Sequence, residues 1–169
     1  MKKVYLFMGI MVLCVAVAGV VYGQDDVKKY PSCSYCGMNR EAFAHSRIFI
    51  EYDDGTTAGT CSLHCAAVEL ALHIDKTPKT IQVGDYGAKG LIDAEKAFWV
   101  IGGSKMGVMT KRAKWAFAKQ EDADKFVKEN GGVMATFDEA MKGAYEDMYA
   151  DTKMIREKRK MAKTGHKHQ

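Results

Sequence analysis

The sequence predicts an α+β protein made of two small ββαβ units followed by a C-terminal amphipathic helix. Three observations predict it. Runs with strand-like alternation and runs with helical spacing occur in the order β-β-α-β twice over. Turn and stop residues fall where hairpins and helix ends need them. From Phe137 onward the apolar residues keep a helical spacing. A chain of 169 residues holds one compact domain or two very small ones.

Residues 1–23 read as a secretory signal or an N-terminal anchor. Lys2 and Lys3 form a basic start, and Val4 to Tyr22 is apolar and uncharged. Val21 and Gly23 are the small residues a signal peptidase needs before Gln24. The apolar stretch is also nearly long enough to span a bilayer if uncleaved. Met11-Val12-Leu13 before Cys14 lacks the small residue of a lipoprotein site. Either way the rest of the chain is placed outside the cytoplasm, in the periplasm. Without Lys2 and Lys3 the 25 Lys and Arg fall to 23 against 21 Asp and Glu, a charge of +2. A nearly neutral chain gives no argument for nucleic acid.

The first unit is placed at residues 24–83. "QDDVKKYPS" (24–32) reads as polar and extended. "SRIFIEYDDG" alternates and ends in a DG turn, a strand entering a hairpin, with "TTAGT" as its partner. "CSLHCAAVELALHID" has helical spacing at Leu63, Ala67, Leu70 and Ile74, and "KTIQVGDY" returns as a strand. The second unit, 84–136, opens with a connecting segment, 84–95. "KAFWVIGG" and "AKWAFA" read as strands whose Trp99 and Trp115 fill the core. "QEDADKFVKENGG" reads as a helix with acidic residues early and Gly131-Gly132 as its stop. "VMATF" closes the unit. A long amphipathic helix follows over 137–161, with Met141 and Met148 on its apolar face. Its basic end (Lys153, Arg156, Lys158, Arg159, Lys160, Lys163) reads as a solvated terminus, with anionic lipid or a partner as the alternative. Residues 162–169 read as a disordered tail, whose His166 and His168 make a poor metal site.

The chemistry sits in the cysteines. Beyond the N-terminal segment they are Cys33, Cys36, Cys61 and Cys65. Cys61 and Cys65 are spaced i, i+4, so their sulfurs share one helix face. At about 100° per residue that face lies opposite the Leu63/Leu70/Ile74 stripe, beside Val68 and Leu72. Ser62, Glu69 and His73 fall on a third, wet side. The helix start favours thiolate, the metal-binding form. A C-x2-C segment plus a C-x3-C helix start offers four soft ligands from two segments, a common way to build a thiolate metal site. Disulfides compete in an oxidising compartment, and four cysteines allow three pairings. A thioredoxin-like redox pair needs C-x-x-C opening a helix, whereas this one leads into a strand through Gly37.

Soft thioethers tilt the metal toward Cu(I), with Zn(II) as the alternative. Met38 follows the first cysteine pair. Met106 and Met109 lie on the glycine-rich loop "GGSKMGVMTKR", where Met106 reads as a ligand and Met109 equally as gap-filling. Met134 reads as core. His64, between the helix cysteines, is a further candidate ligand, and His45 reads as surface or core. No G-x-S-x-G, H-E-x-x-H or phosphate loop occurs, so no enzyme is indicated.

"CSYCGM", then "DDG", a cysteine-started helix, "FWVIGG" with "SKMG", and "AFA" with "EDADKFVKENGGVMATFDEA" resemble the NosL family over about residues 31–141. The "TCSLHC" helix start also looks like the TRASH and YHS heavy-metal modules. The NosL resemblance implies a pair of ββαβ units like those of organomercurial lyase. It also implies an extracytoplasmic Cu(I) metallochaperone that serves assembly of nitrous oxide reductase in denitrification. Carried over, it places copper on Cys33, Cys36, Met38 and Met106. The partner it implies is a copper-enzyme client, a copper transporter or an assembly complex, with possible membrane association. The alternatives are a zinc or heavy-metal structural or sensing module with a four-cysteine site, and a thiol-disulfide oxidoreductase.

Overall fold

The computed structural model describes residues 25–165, so the signal or anchor segment 1–23 and the tail histidines His166 and His168 lie outside the described residues. Among the described residues no helix is long and apolar enough to cross a membrane. The elements are α1 (Asp25–Lys29), β1 (Ile48–Tyr52), β2 (Thr57–Thr60), α2 (Leu63–Leu72), β3 (Pro78–Gly84), β4 (Leu91–Asp93), β5 (Phe98–Ile101), β6 (Lys114–Phe117), α3 (Gln120–Asn130), β7 (Val133–Ala135) and α4 (Phe137–Gly165). The fold is the expected mixed α and β arrangement with a C-terminal helix. One antiparallel sheet has the order β2-β1-β3-β4 and the other β6-β5-β7. The path β2-β1-β3, with a helix before the third strand, is therefore repeated as β6-β5-β7.

Local chemistry accounts for these elements. In β1, Ile48, Ile50 and Tyr52 are buried while Phe49 and Glu51 are partly exposed, the period-two pattern of a half-buried strand. The Asp53-Asp54-Gly55 turn closes through Tyr52 N–H to Thr56 C=O at 2.9 Å, and Asp54 Oδ1 accepts from Thr56 N–H at 2.8 Å. Helix α3 carries Glu121 and Asp122 in its first turn. It stops at Gly131, whose N–H bonds Val127 C=O at 2.8 Å. Helix α4 opens with a capping box: Thr136 N–H donates to Glu139 Oε2 at 2.8 Å, and Glu139 N–H returns to Thr136 Oγ1 at 3.3 Å.

The two units are joined through shared apolar cores. Ile48, Ile50 and Val83 of the first sheet pack with Trp99 and Ala116 of the second, with Ala66 and Ala67 of α2, and with Ala140 and Ala144 of α4. Trp99 donates its indole N–H to Ala94 C=O at 2.8 Å. A second core gathers Val100, Trp115, Phe117 and Phe126 around Cys33, Cys61 and Cys65. Helix α2 is the divider, with Leu63, Ala66 and Ala67 facing one core and Cys61 and Cys65 the other.

Several expectations change. Segment 84–95 contains β4, whose Ile92 pairs with Val83; three residues are too few to show a period. Residues 25–29 are helical, not extended, because Asp26 is held by tertiary ion pairs. Leu72, Ile74 and Met134 are exposed: the apolar stripe of α2 outlasts its contact with the sheet, and β7 is a short edge strand. Helix α4 continues past 161 to Gly165.

A buried ionic knot holds the first unit. Arg40 is fully buried and Arg47 and Asp26 nearly so. Arg40 Nη2 donates to Asp26 Oδ2 at 2.8 Å and to Ile48 C=O at 3.0 Å. Its Nη1 reaches Asp26 C=O and Tyr30 C=O at 2.8 Å, and its Nε reaches Thr60 C=O at 3.0 Å. All five guanidinium N–H groups are thus used. Arg47 Nε donates to the same Asp26 Oδ2 at 2.8 Å. Gly59 makes the approach possible, since a Cβ there would lie 2.9 Å from Arg40 Cζ. Arg40→Met should lower stability by about 3–5 kcal/mol, because it strands carbonyls and removes a partner of a buried carboxylate. Denaturant titration measures this, and Lys28→Met, at an exposed pair with Asp25, should leave the midpoint unchanged.

Candidate metal centre

The first cysteine pair sits in a tight knuckle. A bridge between Ser32 and Asn39 closes its base. Cys33 N–H donates to Met38 C=O, and Gly37 N–H returns to Cys33 C=O, each at 2.9 Å. Gly37 adopts φ 77°, a left-handed conformation that a β-carbon disfavours. The chain therefore reverses directly after Cys36, and both sulfurs point to the same side as α2.

The second pair is set by the start of α2. Ser62 is the N-cap residue, so Cys61 precedes the helix and Cys65 lies in its first turn. Ser46 Oγ–H donates to Cys61 C=O at 2.9 Å. All four Sγ atoms lie within 4.8 Å of one another, with Cys36–Cys61 at 3.3 Å and Cys61–Cys65 at 3.7 Å. Four thiolates about 2.3 Å from one ion stand about 3.8 Å apart in a tetrahedron, so the sulfurs are already spaced to share an ion. The cysteines are free rather than disulfide-bonded, and Cys36 alone of the four is not buried.

Two ties hold knuckle and helix together. Arg40, two residues beyond Met38, bonds the carbonyl of Thr60, which directly precedes Cys61. Tyr35, between the knuckle cysteines, donates its hydroxyl to Glu69 Oε2. Tyr52 donates to Glu69 Oε1 at 2.9 Å. Glu69 is thus buried, as is Ser62, against the wet side expected for them. A helical wheel shows which face a residue occupies but not the hydroxyls that cover it.

The sulfurs divide their charge unequally. Sulfur hydrogen bonds from Cys36, Cys61 and Cys65 pull the Cys33 thiol far below its ordinary range. Cys61 and Cys65 are pushed up, chiefly by contact with Cys33 and Cys36, with burial adding to the effect. Contact with Cys33 raises Cys36, but hydrogen bonds from Cys61 and Cys65 bring it down to about 7. The helix start was expected to favour thiolate at Cys61 and Cys65. Instead the charge settles on the knuckle, because a thiolate there is solvated by the helix thiols.

The other candidates divide. Met38 is half-buried in the apolar cluster that contains the sulfurs, and so is Met109. Met106 is 82% exposed on the loop between β5 and β6, outside that packing. His64 is buried but turned to α4, with Nδ1 3.5 Å from Asp151 Oδ2. Burial lowers its pKa, and it is not part of the sulfur group. His45 packs among Phe43, Tyr86 and Trp115. Sequence reasoning missed Tyr35, Arg40 and Glu69. The available signal was an arginine and a tyrosine set inside or beside a tight cysteine loop.

Cys36 should be the first thiol alkylated by iodoacetamide in the metal-free, reduced protein. Its thiolate fraction grows as pH rises, so its rate should climb about tenfold per pH unit up to about pH 7 and then level. Peptide mapping checks this. First modification at Cys61 or Cys65, or a rise continuing to pH 9, would contradict the assignment.

Comparison with known proteins finds a family model and solved structures that match. The NosL family model matches residues 24–145. The crystal structure of the copper chaperone NosL from Shewanella denitrificans matches with a TM-score of 0.51 and 24% sequence identity. That match covers 64% of this chain and 87% of the other. No curated protein matches.

Proposed function

The chain belongs to the NosL family, and from that membership and the four-sulfur site we propose that it is an extracytoplasmic Cu(I) metallochaperone. The observation that carries the reading is the convergence of Cys33, Cys36, Cys61 and Cys65 within 4.8 Å. The solved structure of like fold is described as a copper chaperone, which supports the choice of cargo. Residues 1–23 export or tether the protein. The client is a copper enzyme such as nitrous oxide reductase, or the transporter or assembly complex that supplies it. The role is to bind and pass on an ion, not to catalyse.

The residues suit carriage. In the metal-free protein the Cys33 and Cys36 thiols are drawn toward thiolate while Cys61 and Cys65 are pushed away from it, so the knuckle pair meets a soft cation first. Met38 adds a neutral thioether beside the sulfurs, which favours Cu(I) over zinc. Release begins at Cys36, whose sulfur is the least covered. An incoming thiolate or thioether replaces it while Cys33, Cys61 and Cys65 keep the ion from water. Met106, 82% exposed on its loop, offers a further thioether during exchange. His64 stays with Asp151.

A second reading has its own observation: four sulfurs within 4.8 Å of one another, three of them buried, also suit a structural Zn(II) site. Anaerobic titration of Cu(I) and Zn(II) against competing chelators separates the two. The carrier reading expects Cu(I) to bind far more tightly than Zn(II), Cys33→Ala to weaken it by at least about tenfold, and circular dichroism of the metal-free protein to stay that of a folded chain. Tighter Zn(II) binding with an unfolded metal-free protein would establish the structural reading instead.

A further inference from the structure

The family match ends at residue 145, yet α4 runs on as one helix to Gly165. We propose that the end of this helix, from Lys153 to Lys163, docks an acidic face of the protein that receives the metal and so presents Cys36 to it. The proposal rests on the carrier reading above.

Charge is the first observation. Residues 25–152 hold 16 Lys and Arg against 20 Asp and Glu, a net charge of −4. Lys153, Arg156, Lys158, Arg159, Lys160 and Lys163 then follow with Glu157 as the single acid among them. All six cations are exposed. None forms an ion pair with a carboxylate of the described residues, although the body has acid in excess. A strongly charged face left unpaired on a body of opposite sign marks an interaction surface.

Position is the second. Arg159 Nη2 donates to Cys36 C=O at 3.3 Å, so the cationic helix end borders the least buried sulfur. At about 100° per residue, Tyr149, Lys153, Arg156, Lys160 and Lys163 share one face. That face looks away from the apolar packing that α4 makes through Ala140 and Ala144. A partner seated on it would have its own ligands beside Cys36.

The composition selects the occupant. A helix that lies in a bilayer surface needs a broad apolar face of Trp, Phe or Leu. Here the exposed large apolar side chains near the helix end are Tyr149 and Met161. A cationic, weakly apolar face complements an acidic protein surface, where opposite charge speeds encounter more than it tightens binding.

The test uses copper-loaded protein and synthetic acceptor peptides that carry a Cys-x-x-Cys pair beside six Glu or six Gln. Stopped-flow transfer should run about tenfold faster to the Glu acceptor at low salt, and high salt should remove the difference. The variant R156E/K160E/K163E should lose the advantage with unchanged Cu(I) affinity. The variant K28E/K79E/K96E, with the same change in net charge on the body, should keep it. Equal rates to both acceptors, or equal loss in both variants, would overturn the proposal. Cosedimentation with phosphatidylglycerol vesicles in place of the acidic acceptor would assign the face to a membrane. A salt-sensitive dimer abolished by R156E/K160E/K163E would assign it to a second copy, and either result overturns the proposal as stated. Fluorescence anisotropy of a labelled hexaglutamate peptide on copper-free protein reads docking alone. A failure of copper loading is thereby distinguished from a failure of docking.

Discussion

The site depends on one buried guanidinium. Arg40 connects α1 and Tyr30, the start of β1 at Ile48, and the end of β2 at Thr60. Cys33–Met38 lies between the chain segments it clamps, and Cys61 follows its Thr60 contact directly. Neither cysteine pair can shift relative to the other without breaking hydrogen bonds to a charged group, the most costly kind to leave unmade when buried. Tyr35 and Glu69 repeat the constraint from the opposite side of the knuckle. Sulfurs held this way need little rearrangement around an ion, so less binding free energy is lost to ordering.

The same knot bears on charge. Arg40 and Arg47 face one carboxylate, Asp26, which leaves one positive charge in excess within this buried group. Desolvation pulls the Arg40 pKa down, and Asp26 and the Cys33 thiolate act to hold it up. A negative sulfur cluster is therefore easier to keep in this apolar setting than in a neutral one. The helix start at Cys61 adds partial positive charge to the same place. A buried guanidinium and a helix start thus independently support thiolate in a protein whose composition is nearly neutral.

Much of the fold was legible because local chemistry and tertiary fold agree. Alternation marked β1, Asp54-Gly55 its turn and Gly131 the end of α3. The Cys61 and Cys65 sulfurs do meet, at 3.7 Å, but Cys61 precedes the helix instead of lying on its face because Ser62 is the N-cap. The illegible parts are those that tertiary contacts create. Strand β4 is three residues long and exists because β3 offers it an edge. Helix α1 has no period of its own and is held by Arg40 and Arg47. Glu69 looks solvent-facing on any wheel until two tyrosine hydroxyls arrive from β1 and the knuckle. Met106 is a soft side chain on a glycine-rich loop and is 82% exposed, while Asp151 Oδ1 ties the same loop to α4 by accepting from Lys111 N–H at 3.0 Å.

Burial gives the site a direction. Cys61 and Cys65 are enclosed because α2 divides two cores, and Cys33 because it belongs to the apolar cluster that holds Trp115 and Phe126. Cys36 ends the knuckle where Gly37 turns the chain outward, so it cannot be covered to the same extent. An ion held by these sulfurs is thus exposed along one edge, and any exchange of ligands has to begin there. The asymmetry needs no moving part. It follows from placing a left-handed glycine after the second cysteine of one pair, while the other pair sits at the start of a helix between two cores.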